Sequence, residues 1–442
     1  MGIKTRLAAL CGFGMVLGTL MGTLGTPAAI SQTSSKPVEY QRLATFAAVL
    51  ARVQDEYVED VDGDVLIVDA INGVLHSLDP HSHYVPPETY EKQVKRNKRE
   101  YGGLGIEVGM EDGYVKVGYA NKGAPAYRAG IRAGDLITHV EGVSVKGKSL
   151  DEAVSGMRGL AGDPIKITVK TPGQAPRELT IIREVIQGRA VRHRLYEGLG
   201  YVYLETFNNE HVARDLAEAL DLLTKEAGHK LPGIILDIRG NRGGLLTQSV
   251  DVAGHFLDGG EVVSVRGREG GENDRFHAKR GEKAAGIPLV VLINGESASA
   301  SEIVAGALQD RGRALIVGTQ SFGKGSVQSV FPLKGGALRL TTARYFTPSG
   351  RSIQGLGITP DVWVEAFPKD QLSNAGVIRE ASLPHALNSI IQKEEGLTNT
   401  RPKPKPEYPP EDWPKREDYQ MKRAVELLKS PDFKAKLKAL QN

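Results

Sequence analysis

Cysteine is almost absent from this chain: among 442 residues the only one is Cys11. A single cysteine cannot form an intramolecular disulfide, and the body of the chain holds no thiol for nucleophilic catalysis or for a cysteine metal site. This scarcity fits either a reducing compartment or an exported protein that has no disulfides. The chemistry of an active site must therefore come from other side chains.

A strong excess of one charge is also lacking. The formal net charge is +3, from 56 basic and 53 acidic residues, and the basic residues are dispersed along the chain. Nucleic-acid binding usually needs a basic face or stripe, so the composition argues against it. A hydrophobic share of 40% and a charged share of 25% are ordinary for a soluble globular protein, and the length allows about three domains.

Long apolar runs are missing except at the N-terminus. There, Lys4 and Arg6 precede a glycine-rich apolar run over residues 7–24, and Thr-Pro-Ala-Ala29 follows. This layout predicts a signal peptide over residues 1–30 and therefore export, with the periplasm as the expected destination. The alternative is an uncleaved membrane anchor, because the run approaches the roughly 20 residues that span a bilayer.

Helical spacing is the main signal in residues 37–98. Leu43, Phe46 and Leu50 recur at intervals of three and four, and a second helix is predicted over residues 65–78. The turn Leu78-Asp-Pro-His-Ser-His-Tyr84 then brings two histidines close together. Positions i and i+2 beside a proline, with no clear third ligand nearby, indicate a turn, so we predict no metal site there.

Short strands and glycine turns occupy residues 100–185. Gly103-Leu-Gly-Ile106 precedes an alternating strand, and Ala129-Gly-Ile-Arg-Ala-Gly-Asp135 lies mid-segment. A glycine-rich turn exposes backbone amides that can bind a terminal carboxylate, while the adjoining strand edge accepts a peptide strand. With a helix predicted at 150–158, the segment resembles a PDZ domain.

The resemblance to PDZ domains implies which residues form the carboxylate-binding loop: Gly103, Leu104, Gly105 and Ile106. A phosphate-binding glycine loop is the competing interpretation. It is disfavoured because no Lys-Ser/Thr pair follows, and because the loop opens a strand and not a helix.

Strands and helices alternate over residues 190–366, which predicts an α/β core. The loop Arg239-Gly-Asn-Arg-Gly-Gly244 follows a predicted strand at its carboxyl end, where the sites of such sheets tend to lie. Residues 367–442 are predicted to form a C-terminal tail. It contains a stiff Pro- and Lys-rich linker at 401–414 and a final amphipathic helix that packs on its own protein.

Within this core, an apolar strand runs directly into a serine-rich helix start at residues 290–305. Ser297, Ser299 and Ser301 lie at the turn. A serine there can point its Oγ out of a rigid scaffold, with the next amide and the positive helix end beside the oxyanion it would create. Taken alone, the segment favours a helix cap, because Ser299 and Glu302 also satisfy the S-x-x-E capping box.

A nucleophilic serine needs a base, and no histidine in the chain has a sequence context typical of a catalytic triad. Lys324 is the candidate. It lies between two glycines in an otherwise uncharged segment, residues 321–330, where loss of water would lower its pKa towards neutrality. A single lysine is more often a solvated surface charge, and its position alone does not decide.

Two long stretches favour a catalytic role for these residues, because they resemble a known family. Asn294-Gly-Glu-Ser-Ala-Ser-Ala-Ser-Glu-Ile-Val-Ala-Gly-Ala-Leu-Gln-Asp310 and Gly318-Thr-Gln-Ser-Phe-Gly-Lys-Gly-Ser-Val-Gln328 resemble the active-site core of the carboxyl-terminal processing proteases. These tail-specific serine peptidases use a Ser-Lys dyad. In the family the nucleophile precedes its lysine by 25 residues, which selects Ser299 and Lys324. The resemblance covers roughly residues 40–364.

The resemblance also implies supporting roles. Gln328 would orient Lys324, and residues four apart in a strand do share a face. The amide of Ala300 and that of Gly243 or Gly244 would form the oxyanion hole. Asp310 matches an acidic position of the family, but eleven residues along a helix is about 16 Å, so we expect a structural role for it. No metal or organic cofactor is required.

The expected protein is thus an α/β and α+β multidomain serine endopeptidase. It has an N-terminal helical region, a PDZ domain inserted before an α/β protease core, and a C-terminal helix. The expected substrates are proteins with flexible apolar C-termini, captured by the PDZ domain. An adaptor protein and a homo-oligomer built through the terminal helices are further expectations, and the PDZ domain is a candidate for blocking the resting site.

Two other functions remain as alternatives. In a non-catalytic PDZ scaffold, Ser299 would be only a cap and Lys324 a surface charge. A serine hydrolase acting on small esters is disfavoured by the PDZ-like segment, which is expected to bind a peptide C-terminus. The absence of a G-x-S-x-G elbow also argues against it.

Overall fold

The computed structural model describes residues 40–91, 101–121, 123–185, 190–268, 273–371, 378–387, 401–414 and 416–439. The chain divides into two compact units, Met1–Gly63 and Asp64–Asn442. The predicted signal segment, residues 1–30, lies outside the described residues. No helix in the described ranges is long and apolar enough to cross a membrane.

The described part of the first unit is helix α1, Tyr40–Glu56. The three- and four-residue spacing of its apolar residues predicted this helix correctly. Its apolar side chains Leu43, Phe46 and Val49 remain about half exposed.

The second unit begins with helix α2, Gly63–His76, whose first residue lies at the boundary. A turn follows in which the carboxylate of Asp79 accepts hydrogen bonds from the backbone N–H groups of His81 and Ser82. The chain then extends as strand β1, His83–Val85. The turn predicted at residues 78–84 is therefore present, and it leads into a strand that the prediction of a helical region over residues 37–98 did not include.

The PDZ-like segment forms a small domain with its own core. Its elements are β2 Tyr101–Gly103, β3 Ile106–Glu111, β4 Tyr114–Ala120, α3 Pro125–Arg128, β5 Leu136–Val140, β6 Val143–Ser144, α4 Leu150–Met157, β7 Gly159–Leu160, β8 Pro164–Lys170, β9 Arg177–Ile182 and β10 Glu184–Val185.

The main sheet of this domain has the order β3-β4-β5-β8-β9, and a smaller one has the order β10-β2-β7. Strict alternation explains the core: in β8, Ile165, Ile167 and Val169 are buried while the residues between them face outwards. β3 pairs only with β4 among the described strands, so one of its edges is open.

The predicted α/β domain follows. Its elements are β11 Val191–Tyr196, β12 Leu199–Leu204, α5 Val212–Ala227, β13 Ile234–Asp237, α6 Leu246–Gly254, β14 Gly260–Gly267, β15 Asn273–Ala278, β16 Leu289–Ile293, α7 Ala300–Asp310, β17 Leu315–Gly318, β18 Ser326–Leu333, β19 Gly336–Phe346 and β20 Val362–Trp363.

Its central sheet has the order β11-β12-β13-β16-β17-β20, and the strands from β12 to β20 run parallel. Both faces are covered, as the continuously apolar strands predict. Val291 and Ile293 pack with helices α5, α6 and α7 on one face. Val290 and Leu292 belong to a second core on the opposite face.

A second sheet lies beside the central one, with the order β1-β19-β14-β15. β18 pairs with β19 as a hairpin, with a bulge between Val327 and Gln328. This sheet joins the N-terminal strand β1 to the segment that carries Lys324.

The C-terminal segment completes the second core. Helices α8, Tyr419–Lys429, and α9, Phe433–Ala439, contribute Ala424 and Phe433 to it. The segment 401–414, predicted as a stiff linker, is bound to the core. Glu407 exchanges backbone hydrogen bonds with Trp363 and Glu365, so this stretch is fastened alongside β20.

Candidate active site

Ser299 occupies a sharp turn between β16 and α7, as the apolar strand and the helical spacing predicted. Its backbone has φ 57° and ψ −112°, a conformation that non-glycine residues rarely adopt. Such strain persists only where the surroundings impose it, and it is frequent at functional sites.

The three serines of the turn have different surroundings. Ser297 is fully buried and its hydroxyl donates to the carbonyl of Ile238 at 2.9 Å. Ser301 is equally buried and donates to the carbonyl of Asn241 at 2.8 Å. Ser299 is partly exposed. Of the three hydroxyls, that of Ser299 is the one open to a substrate.

Glu302 connects this turn to the segment that carries Lys324. Its side chain is fully buried. Oε2 accepts hydrogen bonds from the backbone N–H groups of Ser299 at 2.7 Å and of Lys324 at 2.9 Å. Oε1 accepts from the N–H of Gly323 at 2.7 Å and from the hydroxyl of Ser321. One carboxylate therefore fixes the backbones of the predicted nucleophile and the predicted base relative to each other.

Two opposing effects act on the pKa of the Glu302 carboxyl. Burial raises the pKa of its carboxyl to about 7, while the hydrogen bonds from Ser321, Ser299, Gly323 and Lys324 act to lower it. The four donors favour the ionised form, but burial outweighs them and the net shift of the pKa is upward.

Lys324 is partly buried in the loop between β17 and β18. Burial lowers the pKa of its amine, and the nearby positive charge of Arg339 lowers it further. The carboxylates of Glu380, Asp79 and Glu302 act in the opposite direction. The predicted loss of water around Lys324 is thus present, and its effect on the pKa outweighs that of three nearby acids.

A second buried carboxylate supports the other side of this loop. Glu380 is fully buried in a short 3-10 turn, and its oxygens lie 2.9 and 3.0 Å from Nε2 of His81. It also accepts from the amide of Gln354, whose Oε1 in turn accepts from the N–H of Gly325. His81 therefore takes part in a hydrogen-bonded chain that ends beside Lys324.

Gln328 lies close in sequence to Lys324 but on a different structural element. β18 begins at Ser326, so Lys324 precedes the strand, and the bulge at Gln328 alters the register. The argument from four-residue spacing within one strand was therefore wrong. The side-chain amide of Gln328 donates to Ser326 at 3.0 Å and to Thr341 at 3.2 Å. Its role in orienting Lys324 stays a prediction.

The glycine loop after β13 packs directly against Ser299. A Cβ on Gly243 would lie 2.9 Å from Cβ of Ser299 and 3.0 Å from the nitrogen of Ala300. A Cβ on Gly244 would instead collide with the backbone of Phe207. Buried Asn241 organises the contact, because its carbonyl accepts from Ala298 and its Oδ1 accepts from the N–H of Gly243.

The amides expected at the oxyanion hole differ in availability. The N–H of Gly243 is bound to Asn241 at 2.9 Å. The N–H groups of Gly244 and Ala300 make no hydrogen bond to another residue in the ranges that the structure describes. Gly243 thus allows the glycine loop to approach Ser299 closely, and the N–H of Gly244 is the donor available to an oxyanion.

Asp310 has a structural environment, in agreement with its distance along α7. Its carboxylate accepts from the backbone N–H of Ser349 at 3.0 Å and from the hydroxyl of the same residue at 2.6 Å, and it pairs with Arg351. These bonds fasten the end of the helix to the turn after β19.

The predicted carboxylate-binding loop joins β2 to the open-edged strand β3. Leu104 is buried, and its carbonyl accepts from Ala126. Gly105 has φ 73°, and its carbonyl accepts from Asn121. The carbonyls are thus directed into the domain, and Ile106 opens the strand to which a peptide can be added.

The site residues that sequence reasoning missed share one property: they act through contacts between distant segments. Glu302 was identified only as a capping residue, and its carboxylate does accept from the N–H of Ser299. Asn241 lies inside the quoted glycine loop but was given no role. Gln354 and Glu380 have no local sequence signal at all.

The chain matches two family models: the model for peptidase family S41 over residues 198–364 and that for the PDZ domain over residues 116–171. It is 49% identical to a carboxy-terminal-processing protease of Bartonella bacilliformis, covering 75% of this chain and 77% of that protein. It is 34% identical to the carboxy-terminal processing protease CtpB of Bacillus subtilis, covering 71% and 66%. Among solved structures, the photosystem II D1 C-terminal processing protease is 31% identical, with a TM-score of 0.43, and the match covers 75% of this chain and 95% of that one. The chain therefore belongs to the carboxy-terminal-processing proteases of peptidase family S41, a family of serine-type peptidases with a PDZ domain.

Proposed function

We propose that this protein is an endopeptidase in which Ser299 is the nucleophile and Lys324 the general base, and that it processes or degrades exported proteins from their C-terminal tails. One observation carries the proposal: the carboxylate of Glu302 binds the backbones of both residues with the same oxygen atom. The strain at Ser299 and the lowered pKa of Lys324 are what a nucleophile and its base require.

Acyl transfer follows from this arrangement. The neutral amine of Lys324 takes the proton of the Ser299 hydroxyl as Oγ bonds to the substrate carbonyl carbon. The oxyanion accepts hydrogen bonds from the N–H groups of Ala300 and Gly244. The peptide C–N bond then breaks, and the ammonium of Lys324 gives its proton to the leaving amine. Lys324 next deprotonates a water molecule, which attacks the acyl carbon and releases Ser299.

Substrate selection is assigned to the PDZ domain. The open edge of β3 can accept the last residues of an extended chain, and the loop that ends at Ile106 lies where the terminal carboxylate would bind. An unstructured apolar tail meets both requirements without unfolding of the substrate.

The dyad is tested with the variants Ser299→Ala and Lys324→Ala. A substrate with a flexible apolar C-terminus should be cleaved by the wild type and by neither variant. A fluorophosphonate probe should label the wild type but not Ser299→Ala. Ser301→Ala is the matched control, since this serine is buried in the same turn. Substantial cleavage by either dyad variant would overturn the mechanism, and an inactive, unlabelled wild type would favour a non-catalytic PDZ scaffold.

We further propose export to the periplasm, on the basis of the apolar run at residues 7–24 behind Lys4 and Arg6. N-terminal sequencing of the protein from fractionated cells would separate a cleaved signal peptide from a retained anchor. Recovery in the cytoplasm would contradict export.

Self-association through the terminal helices is also proposed, and α1 is the better candidate. Its Leu43, Phe46 and Val49 are about half exposed, whereas α8 uses Ala424 and Leu428 in its own core. Sedimentation of the double variant Leu43→Ser/Phe46→Ser should show a smaller species than the wild type. An unchanged mass would contradict this role of α1.

An adaptor protein that delivers substrates or releases a PDZ-blocked site is a related proposal. Purified enzyme that is fully active alone would remove the need for one.

A further inference from the structure

The strand that leaves the Lys324 loop has an open edge. β18 begins two residues after Lys324, and it pairs with β19 along its whole length. Along its other edge, β18 makes no backbone hydrogen bond to any residue within the described parts of the chain. Unpaired N–H and C=O groups on a strand edge form a template for another extended chain.

The register identifies the residues that present these groups. Leu333 pairs with Gly336 across a two-residue turn, so this pair and every second pair from it exchange hydrogen bonds within the hairpin. The intervening residues of β18, among them Gln328 and Val330, point their backbone groups to the open edge. Thr341, the partner of Gln328, agrees with this assignment because its N–H points away from β18, to the hydroxyl of Ser82.

Pro332 limits the length of the open edge. It occupies the next outward-facing position after Val330 and has no N–H to donate. Proline at this kind of position is typical of an edge strand that is protected against unwanted pairing. The usable edge is therefore the stretch nearest to Lys324.

We propose that the backbone of β18 at Gln328 and Val330 binds the substrate chain as an added β-strand beside Lys324. This inference rests on the proposed peptidase function and deepens it. The occupant is an extended polypeptide, because such an edge offers alternating donors and acceptors at backbone spacing. Binding through the main chain does not depend on substrate sequence, while the half-exposed side chains of Val330, Phe331 and Leu333 add apolar contacts.

Binding is tested without catalysis, in a Ser299→Ala background. The ligand is a fluorescein-labelled peptide of alternating alanine and leucine with terminal lysines, amidated so that the PDZ loop has no carboxylate to bind. Val330→Pro removes the outward N–H and obstructs an added strand, but it leaves the bonds to β19 intact. Val330→Ala shortens the side chain and keeps the N–H. Fluorescence anisotropy should show binding about tenfold weaker for Val330→Pro than for Val330→Ala. Equal affinities would overturn the proposal.

A second variant decides the question if Val330→Pro does not fold. Pro332→Ala restores an N–H at the outward-facing position and should tighten binding of the same peptide several-fold, whereas unchanged affinity would overturn the proposal. Sedimentation tests for the other possible occupant of this edge, a second copy of the chain. A change in oligomeric state with unchanged peptide affinity would make this edge a contact between two copies of the chain and overturn the assignment. Cleavage of β-casein by the wild type is measured separately, so that failure of the peptidase function remains distinguishable.

Discussion

The backbone N–H groups of Ser299 and Lys324 donate to the same oxygen atom, Oε2 of Glu302, at 2.7 and 2.9 Å. The two residues belong to different loops, and neither loop is regular enough to set their separation by itself. A buried carboxylate that accepts from both imposes that separation. The separation of the proposed nucleophile and base is thus fixed by a residue that has no part in the proposed chemistry.

Glu302→Gln should reduce kcat strongly, with a smaller effect on KM. Glutamine has an NH2 group in place of one carboxylate oxygen. This group cannot accept hydrogen bonds, so at least two of the four donors around Glu302 would be left unpaired. Two such losses in a buried site correspond to a decrease of about 100-fold or more. The measurement is steady-state cleavage of an unstructured substrate, together with the rate of labelling by a fluorophosphonate.

Glu296→Gln is the matched control for Glu302→Gln. This acid lies in the same turn, is exposed, and among the described residues its carboxylate pairs only with Arg242. It should retain activity within a small factor of the wild type. Similar losses in both variants would show that the turn tolerates no change of charge, and would remove the special role of Glu302.

The raised pKa of Glu302 also predicts how stability depends on pH. Its value of about 7 lies above the ordinary 4.5, so the folded protein holds this proton more tightly than the unfolded chain. The contribution is fully present below pH 4.5 and is lost as the pH rises through 7. Urea unfolding at a series of pH values should therefore show the stability of the wild type falling relative to Glu302→Gln across this window. Parallel curves would contradict the prediction.

The pH profile of kcat/KM should report the base. Only the neutral amine of Lys324 accepts a proton, so activity rises with pH, and the lowered pKa places the midpoint below the ordinary 10.5 of lysine. Arg339→Gln removes a positive charge that favours the neutral amine, so the midpoint should move up. Glu380→Gln removes a negative charge that favours the ammonium form, so the midpoint should move down. Shifts of the same sign in both variants would reject this electrostatic assignment.

Local sequence was sufficient to place the candidate nucleophile at its turn. An apolar run followed by helical spacing placed Ser299 at a strand-to-helix turn, because strand and helix periods are encoded within a few residues. The choice of Ser299 over Ser297 and Ser301 required the family resemblance. In the structure the other two hydroxyls are bound to backbone carbonyls, and the catalytic role of Ser299 stays a prediction.

Local sequence could not predict the roles of the two buried carboxylates. Glu302 has a capping signal, but nothing near it in sequence indicates its bonds to Gly323 and Lys324, more than 20 residues away. Glu380 meets His81 across 299 residues. The bulge at Gln328 likewise depends on pairing with β19, so spacing within one strand gave the wrong argument for that residue.

Gly243→Ala should impair catalysis more than folding. The added methyl group would lie 2.7 Å from the carbonyl oxygen of Ala298 and 2.9 Å from Cβ of Ser299, so Ser299 must shift. Gly281→Ala is the control, because that glycine has a similar φ of 103° but nothing within 4 Å of the added carbon. Both variants should lose about 1–2 kcal/mol of stability from the backbone conformation alone. Only Gly243→Ala should also lose labelling by a fluorophosphonate, and equal labelling would contradict the contact.

Gly105→Ala should weaken capture of the substrate tail. Gly105 has φ 73° in the loop before β3, and alanine would distort the amides that bind a terminal carboxylate. KM should rise for a substrate with a free C-terminus and stay unchanged for the same substrate amidated at its end. Gly142→Ala tests for strain alone, since Gly142 has φ 75° in a turn elsewhere in the domain with nothing within 4 Å. A rise in KM for the amidated substrate, or an equal rise in Gly142→Ala, would show that the loop acts through the stability of the domain and not through the carboxylate.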